Sequence, residues 1–339
     1  MIANVSGNHI AVGLTGLGFY APERVLTNED LAAMVDTSDE WITTRTGIKE
    51  RRIAEPEQAA SDLALPAARR ALEQAGVTAE ELDLVVVATA TPDMLFPATA
   101  AILADELGAT RAAAYDLLAG CTGFVYALSQ VYGAVAAGLS RRALIVGAEV
   151  LSKITNWQDR STCILFGDGA GAAVVQPITA GGIVGFELGA DGSGGLDLCV
   201  PAGGSRRPVS PDVLEQELQF IKMNGAEVFR FATRVMVSSA EELLAACDAT
   251  VEDVDLYVPH QANKRIVDHV VRNLGLDPEK VLMNIDRYGN TSSASIPICL
   301  AEAQADGLLQ EGTRVLISAV GAGLTWGSVY LTWTTRGEE

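Results

Sequence analysis

An internal repeat constrains the fold of this chain more than any other feature of its sequence. Four short segments recur in the same order, at spacings that range only from 167 to 172 residues. One such pair can arise by chance, but four in register indicate a duplicated structural unit. We therefore predict two similar halves, 1–177 and 178–339. The paired segments are 81–87 with 253–259, 107–108 with 274–275, 138–139 with 307–308, and 142–145 with 314–317.

Within each half, strand-like and helical segments alternate. Segments 84–88 and 143–147 are apolar on both faces and rich in Val, Leu and Ile, which is typical of buried strands. Segment 61–76 has apolar residues at helical spacing and ends in a glycine, which predicts a helix. This alternation favours a layered α/β fold, and the cleft between two such halves is a common place for a small-molecule site.

Composition narrows the class of protein. Of the 339 residues 49% are hydrophobic, which excludes a disordered chain, and the net charge of −19 disfavours nucleic-acid binding. No apolar run reaches the roughly 18 residues of a membrane-spanning helix. The five cysteines lie far apart without metal-site spacing, and the first ten residues contain no Lys or Arg. We expect a cytoplasmic protein with free thiols, no metal centre and no membrane partner.

Cys121 differs from the other cysteines, which have apolar neighbours. It lies between two glycines, just before a helical pattern that starts near Phe124. A helix N-terminus offers free backbone N–H groups that stabilise a thiolate, so Cys121 is a candidate nucleophile. The alternative is a small packing residue at a strand–helix corner.

A thiol nucleophile generally works with an imidazole, and the chain has three histidines. His9 lies near the start of the chain, and His269 lies in the middle of a helical pattern. His260 follows the strand-like run 256–259, and strand ends are frequent positions for active-site side chains. His260 is therefore the candidate partner.

The repeat adds a third polar residue to the candidate site. At the offset of 169 residues, Cys121 corresponds to Asn290, which also follows a glycine and precedes a helix. The duplication therefore predicts two helix starts that approach one cleft. A neutral amide donor suits the polarisation of a carbonyl oxygen. A helix-capping role for Asn290 is the equally plausible alternative.

Segment 189–211 interrupts the regular pattern of each half. It contains six glycines and three prolines, which predicts a long loop. Long loops in compact domains tend to be functional, although a variable surface insertion explains the composition equally well.

Six motifs in the right order resemble β-ketoacyl-acyl-carrier-protein synthase III, the initiating condensing enzyme family of type II fatty-acid synthesis. The resemblance covers nearly the whole chain and implies a thiolase-like fold of five layers, α/β/α/β/α, built from two duplicated halves. The motifs are DTSDEWITTRTGI (36–48), GCTGF (120–124), FGDGAGA (166–172), PHQAN (259–263), GNTSSASIP (289–297) and GAGLTWG (321–327).

The resemblance implies that Cys121 takes an acyl group from acyl-CoA while the backbone N–H groups of Cys121 and Ala322 hold the oxyanion. His260 and Asn290 would then hydrogen-bond the thioester carbonyl of malonyl-ACP during decarboxylation. The implied reaction joins a short acyl-CoA primer, with acetyl-CoA expected, to malonyl-ACP and yields 3-oxoacyl-ACP, CoA and CO₂. The alternative is a related acyltransferase or condensing enzyme of secondary metabolism that also uses acyl-CoA.

The same resemblance implies the residues that bind the two substrates. Phe96 would reach across a homodimer and limit the acyl pocket, and neither a cofactor nor a metal is implied. For Lys264 and Arg265, a solvated helix face is the alternative explanation. The CoA contacts would be Thr37, Trp41, Arg45, Arg160, Gly225 and Asn263, and the acyl-carrier-protein contacts would be Gln261, Ala262, Asn263, Lys264 and Arg265.

Overall fold

The computed structural model of the chain describes residues 1–7 and 10–334. His9, the histidine near the start of the chain, lies outside the described residues. The strands in the described part are β1 (Ile2–Asn4), β2 (Val12–Tyr20), β3 (Val25–Thr27), β4 (Glu50–Arg52), β5 (Leu84–Ala88), β6 (Ala113–Leu117), β7 (Ala143–Glu149), β8 (Gly169–Pro177), β9 (Gly182–Ala190), β10 (Leu198–Cys199), β11 (Lys222–Met223), β12 (Leu256–Pro259), β13 (Arg314–Gly321) and β14 (Thr325–Thr332).

The α-helices connect these strands. Short 3₁₀ turns at Gly120–Thr122 and Ser292–Ala294 each lead directly into an α-helix. The α-helices in the described part are α1 (Asn28–Ala32), α2 (Asp39–Thr46), α3 (Ala60–Ala75), α4 (Thr99–Leu107), α5 (Gly123–Ala136), α6 (Arg160–Cys163), α7 (Pro211–Glu215), α8 (Gly225–Ala246), α9 (Lys264–Leu274), α10 (Ile285–Tyr288) and α11 (Ser295–Ala305).

Two five-stranded sheets share the same topology over four of their strands. The first sheet has the order β2-β8-β7-β5-β6, and the second has the order β1-β9-β14-β13-β12. In each sheet two antiparallel neighbours are followed by a parallel pair, β7 with β5 in the first and β13 with β12 in the second. Strands β2, β8, β7 and β5 therefore correspond in order to β9, β14, β13 and β12, which confirms the predicted duplication, while β6 and β1 are additional strands at the sheet edges.

Helices form three layers around the two sheets. Helices α3 and α4 cover the outer face of the first sheet, and α8 and α9 cover the outer face of the second. Helices α5 and α11 lie between the sheets and bury Phe124, Leu128 and Leu300 against both. Burial of each such side chain contributes about 1.5–3 kcal/mol, so this central layer holds the halves together. The result is the predicted five-layered α/β/α/β/α fold.

Most of the predicted elements are confirmed with small shifts at their ends. The buried strand predicted at 84–88 is β5, and the one at 143–147 lies within β7, which continues to Glu149. The helix predicted at 61–76 is α3. It ends at Gly76, which adopts a left-handed conformation with φ 65°. Glycine adopts this conformation without the steric penalty of a Cβ atom.

One short strand departs from the predicted division of the chain. Strand β1 pairs with β9 in the second sheet, where Ile2 lies opposite Glu187. The first residues of the chain thus extend the sheet of the second half, whereas the boundary near 177 stays a prediction. No helix in the described part of the chain is both long and apolar enough to span a bilayer.

Candidate active site

Cys121 lies where the two halves of the molecule meet. It occupies the 3₁₀ turn before α5 and packs against the turn that follows β13. A methyl group added at Gly120 would lie 2.8 Å from the backbone nitrogen of Ala322, and one at Gly321 would lie 2.6 Å from that of Cys121. The absence of side chains at both glycines therefore lets the N–H groups of Cys121 and Ala322 come together.

The protonation state of Cys121 differs from the sequence-based expectation. Burial raises the pKa of its thiol to about 11, although a hydrogen bond from Ser292 and the N–H of Ala322 act in the opposite direction. The expected stabilisation of a thiolate at the helix start is therefore wrong for this state. Loss of hydration outweighs these hydrogen bonds, and Cys121 is a neutral thiol near pH 7.

His260 follows the last residue of β12, as the sequence predicted, and its backbone N–H donates to Ser318 O at 2.8 Å. The side chain is 1% exposed, and burial lowers the pKa of the imidazole to about 3. The ring is therefore neutral at physiological pH. Its Nδ1 lies 2.7 Å from the hydroxyl of Ser295, the first residue of α11.

Asn290 lies just after α10, in the segment that leads to α11. Its Oδ1 accepts a hydrogen bond from the backbone N–H of Ser292 at 2.8 Å. Because a backbone N–H can only donate, the amide oxygen must face it, and the Nδ2 donor is left for another partner. The local contact resembles a cap, but it does not occupy the amide NH₂ group.

The three predicted catalytic side chains line one cavity. The cavity has a volume of about 790 Å³ and contains Cys121, His260 and Asn290 in its wall. It brings together a thiol, a neutral imidazole and a primary amide from both halves of the molecule. Such a set suits acyl transfer, because a soft nucleophile lies beside neutral hydrogen-bond donors.

A second cavity of about 440 Å³ also reaches Cys121. Its wall includes Ala322 together with Leu198, Cys199 and Val200 from the glycine-rich segment 189–211. Residues 198–200 of that segment, the first two of which form β10, therefore border the cavity, and this position favours the functional explanation. The glycine content of the segment marks it as a whole and does not distinguish residues 198–200 from their neighbours.

Four of the six predicted CoA contacts line the larger cavity, namely Trp41, Arg45, Gly225 and Asn263. Arg160 does not line it directly, but its guanidinium lies 4.8 Å from the centroid of the Trp41 ring, and that of Arg45 lies 4.5 Å from the same ring. The indole and the two cations therefore form one cluster. Thr37 is not part of the cavity wall, and its buried Oγ1 has no hydrogen-bond partner among residues 1–7 and 10–334.

The predicted carrier-protein segment divides into an exposed part and a buried part. Lys264 and Arg265 are exposed at the start of α9, and Ala262 and Asn263 are half-buried. Lys264 pairs with Asp268 at 2.7 Å, so Arg265 is the cation of this segment that is available to an acidic partner. The Arg265 guanidinium lies 5.8 Å from the Phe229 ring centroid, and both residues line the cavity.

Gln261 requires a correction. Its side chain is fully buried, with Nε2 donating to Pro259 O at 2.8 Å and Oε1 accepting from Asn284 N at 3.1 Å. These bonds direct the amide into the protein, so the expected direct contact of Gln261 with a carrier protein is wrong. Its contacts fix the turn between β12 and α9 instead.

Phe96 lies in neither of the two cavities that reach Cys121. Its side chain is 82% exposed, and neighbouring Leu95 is 84% exposed. The role expected for it depends on a second copy of the chain and therefore stays a prediction. Leu118, which follows β6 and lines the smaller cavity, is 75% exposed.

Sequence reasoning missed the serines that support the site. Ser292 orients Asn290, and Ser295 contacts His260, yet both serines lie within a Ser-rich stretch that reads as an ordinary helix start. The signal available was their distance of two and five residues from Asn290. Alone, that spacing does not specify a contact with a residue 35 positions away.

Comparison with known proteins gives a consistent picture. Residues 115–192 match the family model 3-Oxoacyl-[acyl-carrier-protein (ACP)] synthase III, and residues 244–333 match the model of its C-terminal part. A β-ketoacyl-[acyl-carrier-protein] synthase III from Symbiobacterium thermophilum is 57% identical over 323 residues, which cover 95% of this chain and 98% of the relative.

Solved structures agree with these sequence matches. The β-ketoacyl-[acyl carrier protein] synthase III of Thermus thermophilus superposes with a TM-score of 0.89 at 49% identity, over 96% of this chain and 100% of the other. The 3-oxoacyl-[acyl-carrier-protein] synthase III of Aquifex aeolicus VF5 gives the same TM-score at 43% identity, over 95% and 100%. With the motifs, the duplicated fold and the shared cavity, these matches show that the chain belongs to the β-ketoacyl-acyl-carrier-protein synthase III family.

Proposed function

We propose that Cys121, His260 and Asn290 divide between them the two half-reactions of this family. The chain is an acyltransferase that condenses an acyl-CoA with malonyl-ACP in the initiation of fatty-acid synthesis. The observation that supports the residue roles is the single cavity with a buried thiol, a neutral imidazole and an amide in its wall. The alternative function in secondary metabolism has weaker support from the sequence relatives.

In the first half-reaction, the sulfur of Cys121 attacks the thioester carbonyl of acyl-CoA. The bond to the CoA sulfur breaks, and the thiol proton leaves with CoA as its free thiol. The N–H groups of Cys121 and Ala322 lie together and serve as donors to the oxyanion of the tetrahedral intermediate. One such preorganised donor is worth about 2.7–4 kcal/mol of transition-state stabilisation in other enzymes.

In the second half-reaction, the bond between the malonyl methylene and its carboxylate breaks and releases CO₂. The electron pair passes to the thioester as an enolate, whose oxygen accepts hydrogen bonds from the free ring nitrogen of His260 and the Nδ2 of Asn290. The enolate carbon then attacks the acyl group on Cys121, and the departing Cys121 sulfur takes a proton from water. Neutral donors suit this step, because an imidazolium would compete by protonating the enolate carbon.

The cluster of Trp41, Arg45 and Arg160 is our proposed site for the adenine and phosphates of CoA. An indole offers a stacking face, and guanidinium groups bind phosphate in a bidentate manner. Gly225 and Asn263 would border the pantetheine chain between this cluster and Cys121. An acidic carrier protein would dock near Arg265 and deliver its own pantetheine through the same cavity.

A short primer and a homodimer belong to the same proposal. Strand β6 is an edge strand of the first sheet, and its Tyr115 is 41% exposed. An exposed edge and the apolar side chains of Phe96 and Leu118 would be covered by a second copy of the chain. The partner's Phe96 would then narrow the smaller cavity and favour acetyl-CoA. The proposed chemistry takes place in the cytoplasm and calls for no cofactor.

Intact-protein mass spectrometry tests this function. The protein is mixed with acetyl-CoA and then with malonyl-ACP, beside a Cys121→Ala variant. We expect one acetyl adduct that requires Cys121 and that malonyl-ACP removes as acetoacetyl-ACP. An adduct that malonyl-ACP leaves in place would instead support the acyltransferase of secondary metabolism. Light scattering of the same sample tests the homodimer, which a monomeric mass would contradict.

A further inference from the structure

The contact between Ser295 and His260 determines which ring nitrogen carries the imidazole proton. His260 is neutral because burial lowers the pKa of the ring, so one of the two nitrogens holds a hydrogen and the other accepts. The Nδ1 atom lies 2.7 Å from the Ser295 hydroxyl, and both side chains are at most 2% exposed. No water molecule is needed to complete this pair.

The surroundings of Ser295 decide the direction of that hydrogen bond. The backbone N–H of Gln261 also points at the hydroxyl oxygen, at 3.4 Å, and can only donate. Within the described part of the chain, the structure provides no other acceptor for the hydroxyl hydrogen than His260 Nδ1. A buried hydroxyl hydrogen needs an acceptor, so Ser295 donates and Nδ1 accepts.

We propose that Ser295 is a positioning residue that holds His260 in the tautomer with its proton on Nε2. This inference rests on the proposed function, since it explains how a neutral imidazole becomes a donor to the malonyl thioester. The other ring nitrogen, Nε2, has no hydrogen-bond partner in the described part of the chain and then presents its N–H to the cavity shared with Asn290 and Cys121. With the opposite tautomer, the same nitrogen would offer a lone pair and repel the enolate oxygen.

The two donors of the condensation step are thereby oriented by one segment of the chain. The N–H of Ser292 donates a hydrogen bond to Oδ1 of Asn290, which leaves the NH₂ group available to substrate. The hydroxyl of Ser295 donates to Nδ1 of His260, which leaves the Nε2–H available. Residues 290–295 thus supply one donor and fix the polarity of the other. Outer partners of this kind commonly set the tautomer of a functional histidine.

The Ser295→Ala variant tests this role through the two half-reactions measured separately. We expect the rate of Cys121 acetylation to change by less than about threefold, whereas kcat for condensation falls at least about tenfold. The upper bound is the roughly 10²–10³-fold loss that follows removal of a preorganised donor. The KM for malonyl-ACP should stay within about twofold. Ser295→Thr, which keeps the hydroxyl, should restore much of the rate.

Ser328→Ala is the matched control, because Ser328 is also a fully buried serine but bonds Ser239 and Ser318 rather than the imidazole. It should leave the condensation rate near that of the original protein. An undiminished condensation rate in Ser295→Ala would overturn the proposal. A parallel loss in both half-reactions would also contradict it, since it would indicate a general structural role.

The tautomer itself is measurable without any variant that might misfold. Long-range ¹H–¹⁵N spectra of the histidine-labelled protein distinguish Nε2–H from Nδ1–H, and a His260→Gln sample identifies the relevant signals. We expect Nε2–H alone, and observation of Nδ1–H would overturn the inference. If the protein fails to condense but shows Nε2–H, the proposed function fails while the orientation by Ser295 stands.

Discussion

The backbone at Gly321 lies so close to Cys121 that a methyl group on it would be 2.6 Å from the Cys121 nitrogen. That approach is below any normal contact distance, so Gly321→Ala must separate the two turns that hold the N–H donors of Cys121 and Ala322. We predict that the rate of Cys121 acetylation by acetyl-CoA falls about 100-fold, as expected for a displaced oxyanion donor. Stopped-time mass spectrometry of the acetyl adduct measures this rate.

Gly133→Ala is the control for the glycine substitution. Gly133 is an exposed residue of α5, the helix that follows Cys121, and a methyl group there would meet no atom of the described residues within 4 Å. This variant should acetylate at the original rate. If Gly321→Ala acetylates equally fast, the approach of the two turns does not contribute to the oxyanion site.

The reactivity of Cys121 should rise with pH over a wide range. Because burial raises the pKa of the thiol to about 11, the thiolate fraction increases about tenfold for each pH unit below that value. Without acyl-CoA, alkylation of Cys121 by iodoacetamide should therefore climb between pH 7 and pH 10 without levelling off. Peptide mapping reports the modification at Cys121 specifically. A plateau below pH 8 would mean that the thiolate is already formed at rest.

Because the imidazole of His260 is buried, we predict that the free energy of unfolding decreases in mild acid. Its pKa is lowered to about 3 in the folded protein, from 6.5 in an unfolded chain. Between pH 3 and pH 6.5 the unfolded chain therefore binds more protons than the folded protein. The contribution of the neutral imidazole to the free energy of unfolding is complete above pH 6.5 and is lost as the pH falls toward 3. At pH 5 the loss in the free energy of unfolding is about 2 kcal/mol.

Urea unfolding of the original protein and of His260→Gln, each at pH 7.5 and pH 5, isolates this effect. The glutamine variant does not titrate, so the original protein should lose about 2 kcal/mol more than the variant between the two pH values. Carboxyl groups titrate in both proteins and cancel in the comparison. Equal losses would show that the imidazole is not held in its neutral form by the fold.

Arg265 provides a test of the carrier-protein surface. Because Lys264 is paired with Asp268 while Arg265 is exposed at the cavity, Arg265→Glu should weaken docking of an acidic carrier protein. We predict a KM for malonyl-ACP that is about fivefold to tenfold higher, with a smaller change for acetyl-CoA. Arg69→Glu, the same charge change on the exposed side of α3, should alter neither value. Equal effects on both substrates would remove Arg265 from the docking surface.

The sequence alone predicted how the site is assembled, because the duplication carries geometric information. An offset of 169 residues relates Cys121 to Asn290, and the matching sheet orders place the 3₁₀ turns beside both residues at one cleft. His260 was predictable as a strand-end residue from the apolar run of β12. These features depend on periodicity and register, which a single sequence contains.

The environment of each side chain was not predictable in the same way. The thiolate expected at Cys121 ignores the burial that raises its pKa, and burial depends on both halves of the fold. Gln261 looked available because it lies just before an exposed helix start, yet its amide bonds residues 259, 282 and 284 inside the protein. Ser295 acts on His260 through a contact that no local pattern encodes.

The central claim is that Asn290 and His260 serve decarboxylative condensation after Cys121 has been acylated. The most direct test prepares the acetyl form of the Asn290→Ala variant and follows its reaction with malonyl-ACP in a single turnover. We predict that the acetyl adduct forms within about threefold of the original rate, whereas its discharge to acetoacetyl-ACP falls at least 100-fold. Discharge at the original rate would contradict the claim, as would an equal loss in both half-reactions.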